Sequence, residues 1–371
     1  MKTWQKELAE SVRTLDDLAA TMPLEADEHQ QLADVLAHAP MAIPRYYLSL
    51  IDFADPDDPI RKLAIPSPLE EDCSGSDDTS GEAQNTVAAG LQHKYRETVL
   101  MLSTTECAMY CRHCFRKRLV GLPDKAVARN IDVMRDYLLS HPEVNNVLVS
   151  GGDALLNSNA RLDAILDALT QIPHLDFIRL ATRTPVTLPS RITGDAELRA
   201  LLARYQAKKQ LYLVTQFDHP REITPASTAA VAAVRELGIP VRNQTVLLRG
   251  VNDSAEVLGS LLAQSTAIGA EPYYIFQCRP VSRVKNRFQV PLREGRRIVD
   301  GATALQNGIG KAFRYCMSHV TGKIEILGEP ESGSPEDEPA PMLLKYHEAK
   351  NPADRNRLFT ATIAPDQAWL D

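Results

Sequence analysis

The chain has 371 residues, 44% hydrophobic and 24% charged, with a formal net charge of −7. That length gives one large domain with extensions or two ordinary ones, with core enough to need no disulfide staple. The acidic balance argues against bulk nucleic-acid binding, and the lack of an 18-residue apolar run or an amino-terminal signal pattern argues against a membrane or secretory route, so the reading is cytoplasmic.

Residues 1–40 place Leu8, Val12, Leu15 and Leu18, then Leu32, Val35 and Leu36, at helical spacing, which predicts a small helical cap. EEDCSGSDDTSGEAQN (70–85) is polar and rich in Ser, Gly and acid; it reads as a mobile loop, with Cys73 an incidental thiol. A repeating alternation follows. TVLMLST (98–104), NVLVSGGD (146–153), FIRLATR (177–183), LYLVTQF (211–217), VRNQTVLLRG (241–250) and PYYIFQC (272–278) read as buried strands. Helical patterns lie between them over about 127–139, 159–171, 194–207, 225–237 and 255–268. Apolar strands alternating with amphipathic helices predict an α/β fold with a parallel sheet, and six units suit a partial (β/α)6 TIM-type barrel. In such folds functional groups gather where strands end. That rule points to Cys107 through Cys114, Gly151 through Asp153, Arg183, Gln216, Gln244 and Gln277.

GEPESGSPEDEPAP (328–341) reads as an acidic linker, LLKYHEAK beyond it as a short helix, and RLFTATI as a strand. The expected organisation is an N-terminal helical extension with its polar loop over 1–92, the partial barrel over 93–310 and a C-terminal extension over 311–371.

TTECAMYCRHCFRKR (104–118) holds Cys107, Cys111 and Cys114, three of the six cysteines. In a reducing compartment clustered thiols bind metal or do chemistry more often than they pair. Spacing alone leaves several readings open. The thiols could be inert and buried, or could form a zinc loop completed by Cys278, Cys316, His113 or His319. They could also hold a cubane iron–sulfur cluster, which usually takes four cysteines, with one iron left free for a substrate or cofactor. Arg112, His113, Arg116, Lys117 and Arg118 would favour an anionic cluster and a bound carboxylate.

Cys-x3-Cys-x2-Cys with Tyr110 before the second cysteine resembles the signature of radical S-adenosylmethionine (SAM) enzymes. MYCRHCFRKR, SGGDALL, RTPVTLPSRIT, FDHPREIT, NQTVLLRGVND and PYYIFQC, in that order, resemble the lysine 2,3-aminomutase family. The similarity runs from IPRYYLSLIDFADPDDPIRK (43–62) to about Ala304. It implies the partial barrel of radical SAM enzymes, a [4Fe–4S] cluster on Cys107, Cys111 and Cys114, and SAM on the open iron. Reductive cleavage of SAM would then give a 5′-deoxyadenosyl radical that takes hydrogen from an unactivated carbon. SAM contacts are implied at Tyr110 and at Ser150, Gly151, Gly152 and Asp153, with Asp153 facing the SAM ammonium. Arg183, Gln216 and Gln244 are further polar groups placed to line that pocket. The resemblance brings a small amino-acid substrate and a reducing donor such as flavodoxin or ferredoxin. A homo-oligomer is compatible with it; nucleic acid and membrane play no part.

The family also uses pyridoxal 5′-phosphate (PLP), and here the sequence departs from it. The family's Arg-Tyr-x-x-Arg stretch for the PLP phosphate aligns with Lys94 and Tyr95, but Thr98 stands at the second arginine. Arg96 could replace it only if the strand turned, because side chains alternate faces. The PLP-anchoring lysine matches Lys323 in YCMSHVTGKIEI (315–326), after a shortened loop; the alternative there is an exposed hairpin lysine. Arg116 matches the arginine that grips the substrate α-carboxylate. Where the lysine enzymes hold the substrate ε-ammonium with an aspartate after Gln-Cys, this chain has Arg279, and their second aspartate has no match. A guanidinium at ~4 Å repels an ammonium by several kcal/mol in a partly buried pocket.

The expectation is therefore an isomerase of the 2,3-aminomutase type with Lys323 and Arg116 at its catalytic centre. Lysine is disfavoured as substrate and an acidic one such as glutamate favoured. Two other readings stand beside it: a PLP-independent radical SAM enzyme of the same family, and a non-catalytic iron–sulfur electron-transfer or metal-binding protein.

Overall fold

The computed structural model describes residues 2–22, 25–121, 127–128, 130–330 and 335–370. Among them, twelve strands form one sheet in which each pairs with the next in sequence. They are β1 (Thr86–Ala88), β2 (Leu91–Tyr95), β3 (Thr98–Thr104), β4 (Asn146–Gly151), β5 (Phe177–Ala181), β6 (Gln210–Thr215), β7 (Val241–Leu247), β8 (Ala270–Gln277), β9 (Arg314–His319), β10 (Gly322–Gly328), β11 (Ala340–Ala349) and β12 (Leu358–Ile363). Strands β3 to β9 are parallel, and antiparallel strands extend both edges. β1 and β12 do not pair, so the barrel stays open.

Parallel neighbours need crossovers. Ile131–Leu139, Asn159–Thr170, Ala196–Gln206, Pro225–Arg235, Ala255–Ile268 and Leu292–Ala304 supply them. Asn130, Ser158, Asp195, Thr224 and Ser254 each accept a backbone N–H from the first turn of the helix they precede, which fixes where five of these helices start. The sixth expected unit and the partial (β/α)6 barrel are thus present. Position 129 of the helix expected from 127 lies outside the described residues, and the helix itself begins at Ile131.

Val147, Val149, Ile178, Leu180, Leu211 and Leu213 of the strands join Leu162, Ile165, Leu166 and Leu202 of the helices in one core. Each such side chain contributes about 1.5–3 kcal/mol on burial. The alternate strand residues, among them Leu148, Arg179, Tyr212 and Gln244, are only half-buried and line the concave inner face. The parallel strands therefore alternate, where a strand buried on both faces would not.

The N-terminal helices Thr3–Ala9, Leu15–Ala19 and Ala26–His38 form the expected cap, anchored where the Trp4 indole N–H donates to Asp195 at 3.0 Å. Two expectations need correction. The polar stretch 70–85 is not a solvated loop throughout: it sends Glu70 and Glu82 inward, both buried, the second on a short helix Glu82–Asn85. LLKYHEAK is not a helix but part of β11, where Met342, Leu344 and Tyr346 are buried and Leu343 and Lys345 are not. That period of two was in the sequence, masked by good helix formers. Of the linker, 331–334 lie outside the described residues. β2 spans the 92/93 boundary, and β9 to β12 continue the barrel's own sheet. No helix among the described residues is long and apolar enough to cross a membrane.

Candidate active site

The cysteine loop leaves β3 at Thr104 and is held by the N-terminal region. Tyr110 N–H donates to Ala42 O at 3.0 Å and Arg112 N–H to Leu63 O at 2.9 Å. Tyr110, Ala42 and Val120 form a small apolar nest against which Cys107 and Cys114 pack. Burial pushes all three thiols up, Cys111 to about 11 even beside Arg183. Thiols so placed give up their protons to a metal rather than to water.

The loop's basic residues do not all face the thiols, which corrects the expectation made of them. Glu70 takes a bond from Arg112 Nε at 2.9 Å and pairs with Lys117 at 2.6 Å and Arg287 at 2.8 Å. Burial opposes its ionisation, yet these cations hold it down at about 2. Burial, with Arg183 and Lys117, keeps His113 neutral. Arg118 and Arg116 share the Glu82 carboxylate.

Gly151 ends β4 and Gly152 follows it, both against this loop. A Cβ on Gly151 (φ +116) would stand 2.3 Å from Thr104 O, and one on Gly152 2.3 Å from Glu106 O. The glycine pair thus lets two backbones close on one another, and Gly152 N–H donates to Thr104 O at 2.6 Å. Asp153 follows, buried, with Oδ1 accepting from Leu155 N–H at 2.9 Å and Oδ2 from Arg183 N–H at 2.6 Å. Those bonds leave it lone pairs for a further donor. Burial raises its carboxyl above the usual range. Ser150 Oγ accepts from Arg116 Nη1 at 3.3 Å.

Arg183, after β5, is the hub of the rim. Its Nη1 donates to Cys111 Sγ at 2.8 Å, its Nε to Gln216 O at 3.0 Å, and its Nη2 to Glu222 at 2.5 Å and Asp218 at 3.3 Å. Tyr47 Oη also donates to Glu222, at 2.5 Å. Gln216 Nε2 lies 2.8 Å from both Asp218 Oδ2 and His113 Nε2, and His113 Nδ1 is buried with no partner. Asp218 and Glu222 were not singled out in the sequence. Their signal was a pair of acids in FDHPREIT, one strand beyond an arginine at a strand end. One strand-end expectation fails, since Gln244 sits mid-β7 on the inner face; Gln277 does end β8 but is buried and bonded to Val290 O, Ala368 O and the Tyr315 hydroxyl.

From Arg116 a line of groups leads to the seam between β2 and β10. The Phe115 ring is flanked by Arg116 at 4.5 Å and Arg279 at 4.2 Å. Burial pulls Arg279 down to about 10, against Glu82 and with Arg116. Among the described residues its guanidinium has no hydrogen bond or ion pair. Beyond it, Tyr95 lies under Lys94 at 5.5 Å and Lys323 at 5.7 Å, and its Oη is buried without a well-aligned partner, though Ser318 is close. Lys94 Nζ donates to His319 O at 2.5 Å; burial, with Arg279 and Lys323, lowers it to about 7. Lys323 is no exposed hairpin lysine: its side chain is 12% exposed, lies over the Tyr274 ring at 4.4 Å and pairs with Glu348.

These residues fit the groups that the resemblance implies. Among the described residues no three His, Cys, Asp or Glu side chains converge as ligands of one ion. His319 is turned to Thr321, and Cys278 Sγ to its own chain at Arg279 O. The orphaned Tyr95 hydroxyl and a lysine without a carboxylate suit a phosphate.

No family model matches the chain. It is 41% identical over 317 residues to the L-lysine 2,3-aminomutase of Clostridium subterminale, covering 85% of this chain and 73% of that protein. It is 37% identical over 308 residues to the glutamate 2,3-aminomutase of Clostridioides difficile (strain 630), covering 82% and 71%. The chain belongs to the lysine 2,3-aminomutase family. Membership makes it a radical SAM isomerase working with a [4Fe–4S] cluster, SAM and PLP. Among solved structures, the radical SAM methyltransferase TsrM of Kitasatospora setae aligns over 51% of this chain and 38% of its own at 15% identity, with a TM-score of 0.36, too low to bear on the fold.

Proposed function

We propose that this aminomutase moves an amino group between carbons 2 and 3 of an acidic amino acid of the glutamate type. The observation that carries the reading is the unpaired Arg279 guanidinium beside Arg116. Three guanidiniums, from Arg116, Arg118 and Arg279, lie near Glu82, which already pairs with the first two, and Asp78 is a lesser neighbour of Arg118 and Arg279. A substrate carboxylate on Arg279 completes that balance; an ammonium worsens it.

When bound, the cluster and SAM supply hydrogen abstraction and PLP supplies the carbonyl that carries the amine. In this reading Cys107, Cys111 and Cys114 hold the cluster. Tyr110, Ser150, Gly151, Gly152 and Asp153 border SAM, Asp153 accepting from its ammonium. Arg183 and Gln216 keep the rim in place, and Gln244 faces the inner channel. Lys94 and Tyr95 hold the phosphate, and Lys323 anchors the aldehyde. Arg116 orients the substrate α-carboxylate and Arg279 its distal carboxylate. All six cysteines are free, which suits a cytoplasmic protein served by a flavodoxin- or ferredoxin-type donor.

The test is to incubate the anaerobically reduced holoenzyme with SAM and either glutamate or lysine, measuring 5′-deoxyadenosine and the 3-amino product. Turnover of glutamate above lysine is expected. Lysine turned over faster would defeat the substrate assignment.

A further inference from the structure

Lys323 and Glu348 face each other directly across antiparallel β10 and β11. The register slips at this point, because the next pair is Ile324 with Tyr346, leaving His347 as an extra residue on β11. Such a bulge re-aims the side chains beside it. Here His347 Nε2 meets Tyr274 Oη at 2.8 Å, and Glu348 is brought onto Lys323 Nζ. Lys94, the other lysine facing Tyr95, bonds only a backbone carbonyl. One of two neighbouring lysines has thus been given a carboxylate by a local distortion of the sheet.

We propose that Glu348 is the positioning residue for Lys323: it holds the nitrogen over the Tyr274 ring, where it condenses with the cofactor aldehyde, and keeps it protonated until then. This rests on the reading of Lys323 as the anchoring lysine. The balance is simple. One proton passes from the Lys323 ammonium to solvent; the free amine attacks the aldehyde carbon; one C=N bond forms, and water leaves with the carbonyl oxygen and the two remaining amine hydrogens.

The groups around Lys323 set the sign of the pH dependence. They are Glu348 and His347 on β11, Lys94 and Tyr95 on β2, Tyr273 and Tyr274 on β8, and Cys316 and Ser318 on β9, with Arg279 and Lys350 beside Lys94. Burial lowers Lys323, but Glu348 outweighs it and holds the ammonium above its ordinary range. Without the carboxylate, burial and Lys94 are left, so the free amine should form at lower pH.

The experiment titrates the full-length protein with PLP from neutral to alkaline pH. It follows the absorption band of the imine and maps the borohydride-trapped adduct by mass spectrometry. In Glu348→Gln the midpoint is expected to move to lower pH by roughly one unit or more, and in the shorter Glu348→Asp by less. Lys323→Ala should lose the trapped adduct altogether. An adduct that persists in Lys323→Ala overturns the anchoring assignment. An adduct lost there, with Glu348→Gln titrating like the parent, overturns only the role of Glu348. If Glu348→Gln does not fold, Glu348→Asp decides alone, and an unmoved midpoint defeats the proposal.

Discussion

Gly152 and the Glu106 carbonyl oxygen are so close that a methyl group on Gly152 would stand 2.3 Å from it. The cysteine loop therefore depends on the absence of a side chain one strand away.

Gly152→Ala must push that loop off its seat, at a cost of about 1–3 kcal/mol. The barrel core is untouched, so the variant should fold. Its iron content and visible absorption after anaerobic reconstitution should fall to less than half of the parent's. A full complement of iron would show that the loop tolerates the displacement.

Arg183 stands between buried Asp218 and Glu222 and the Cys111 thiol. Arg183→Met strands both carboxylates, a loss of about 3–5 kcal/mol for a broken buried pair. The thermal midpoint should drop, and Glu222→Gln added to it should recover part of the loss by removing one stranded charge. A double variant less stable than the single one would contradict this account.

Lys94 gives a pH signature. Its folded pKa lies at about 7 against an ordinary 10.5, so between those values the unfolded chain binds more protons than the folded one. Lys94 therefore makes stability rise with pH across that window. Thermal melts of the apo-protein at either end should show the rise, diminished in Lys94→Met. Phosphate should flatten it in the parent by keeping Lys94 charged. A slope that is the same in parent and variant would remove Lys94 from the anion site.

Arg279→Asp should exchange the preferred charge of the substrate. Loss of one charge-assisted contact of about 1.5–3 kcal/mol corresponds to roughly tenfold or more in KM for glutamate. Turnover of lysine should appear in the same variant. Parallel loss on both substrates, without a gain for lysine, would mean Arg279 acts on folding and not on choice.

Much of the barrel was legible because its strands are rich in Val, Leu and Ile and five of its six crossover helices begin on Ser, Thr, Asp or Asn. The cysteine cluster was visible from spacing, and the family pattern singled out Lys94, Tyr95 and Lys323, which the fold brings together. What escaped were pairings set by tertiary placement. Glu70 and Glu82 read as members of a solvated acidic run, and only the fold shows them neutralising the arginines of the cysteine loop. Glu348 was hidden because KYHEAK favours a helix by propensity, while the alternation of Met342, Leu344 and Tyr346 against the core won. Gln277 looked like a pocket residue because strand ends usually are, but its side chain turns outward to Tyr315.

The sheet is strung in plain numerical order, each ribbon beside its immediate predecessor. A ribosome therefore delivers each strand beside the one before it, although Trp4 waits for Asp195 and Glu70 for Arg287. The cysteine loop follows β3 directly, while Lys323 arrives only with β10. Its neighbour Tyr95, on β2, has by then been waiting through most of the synthesis.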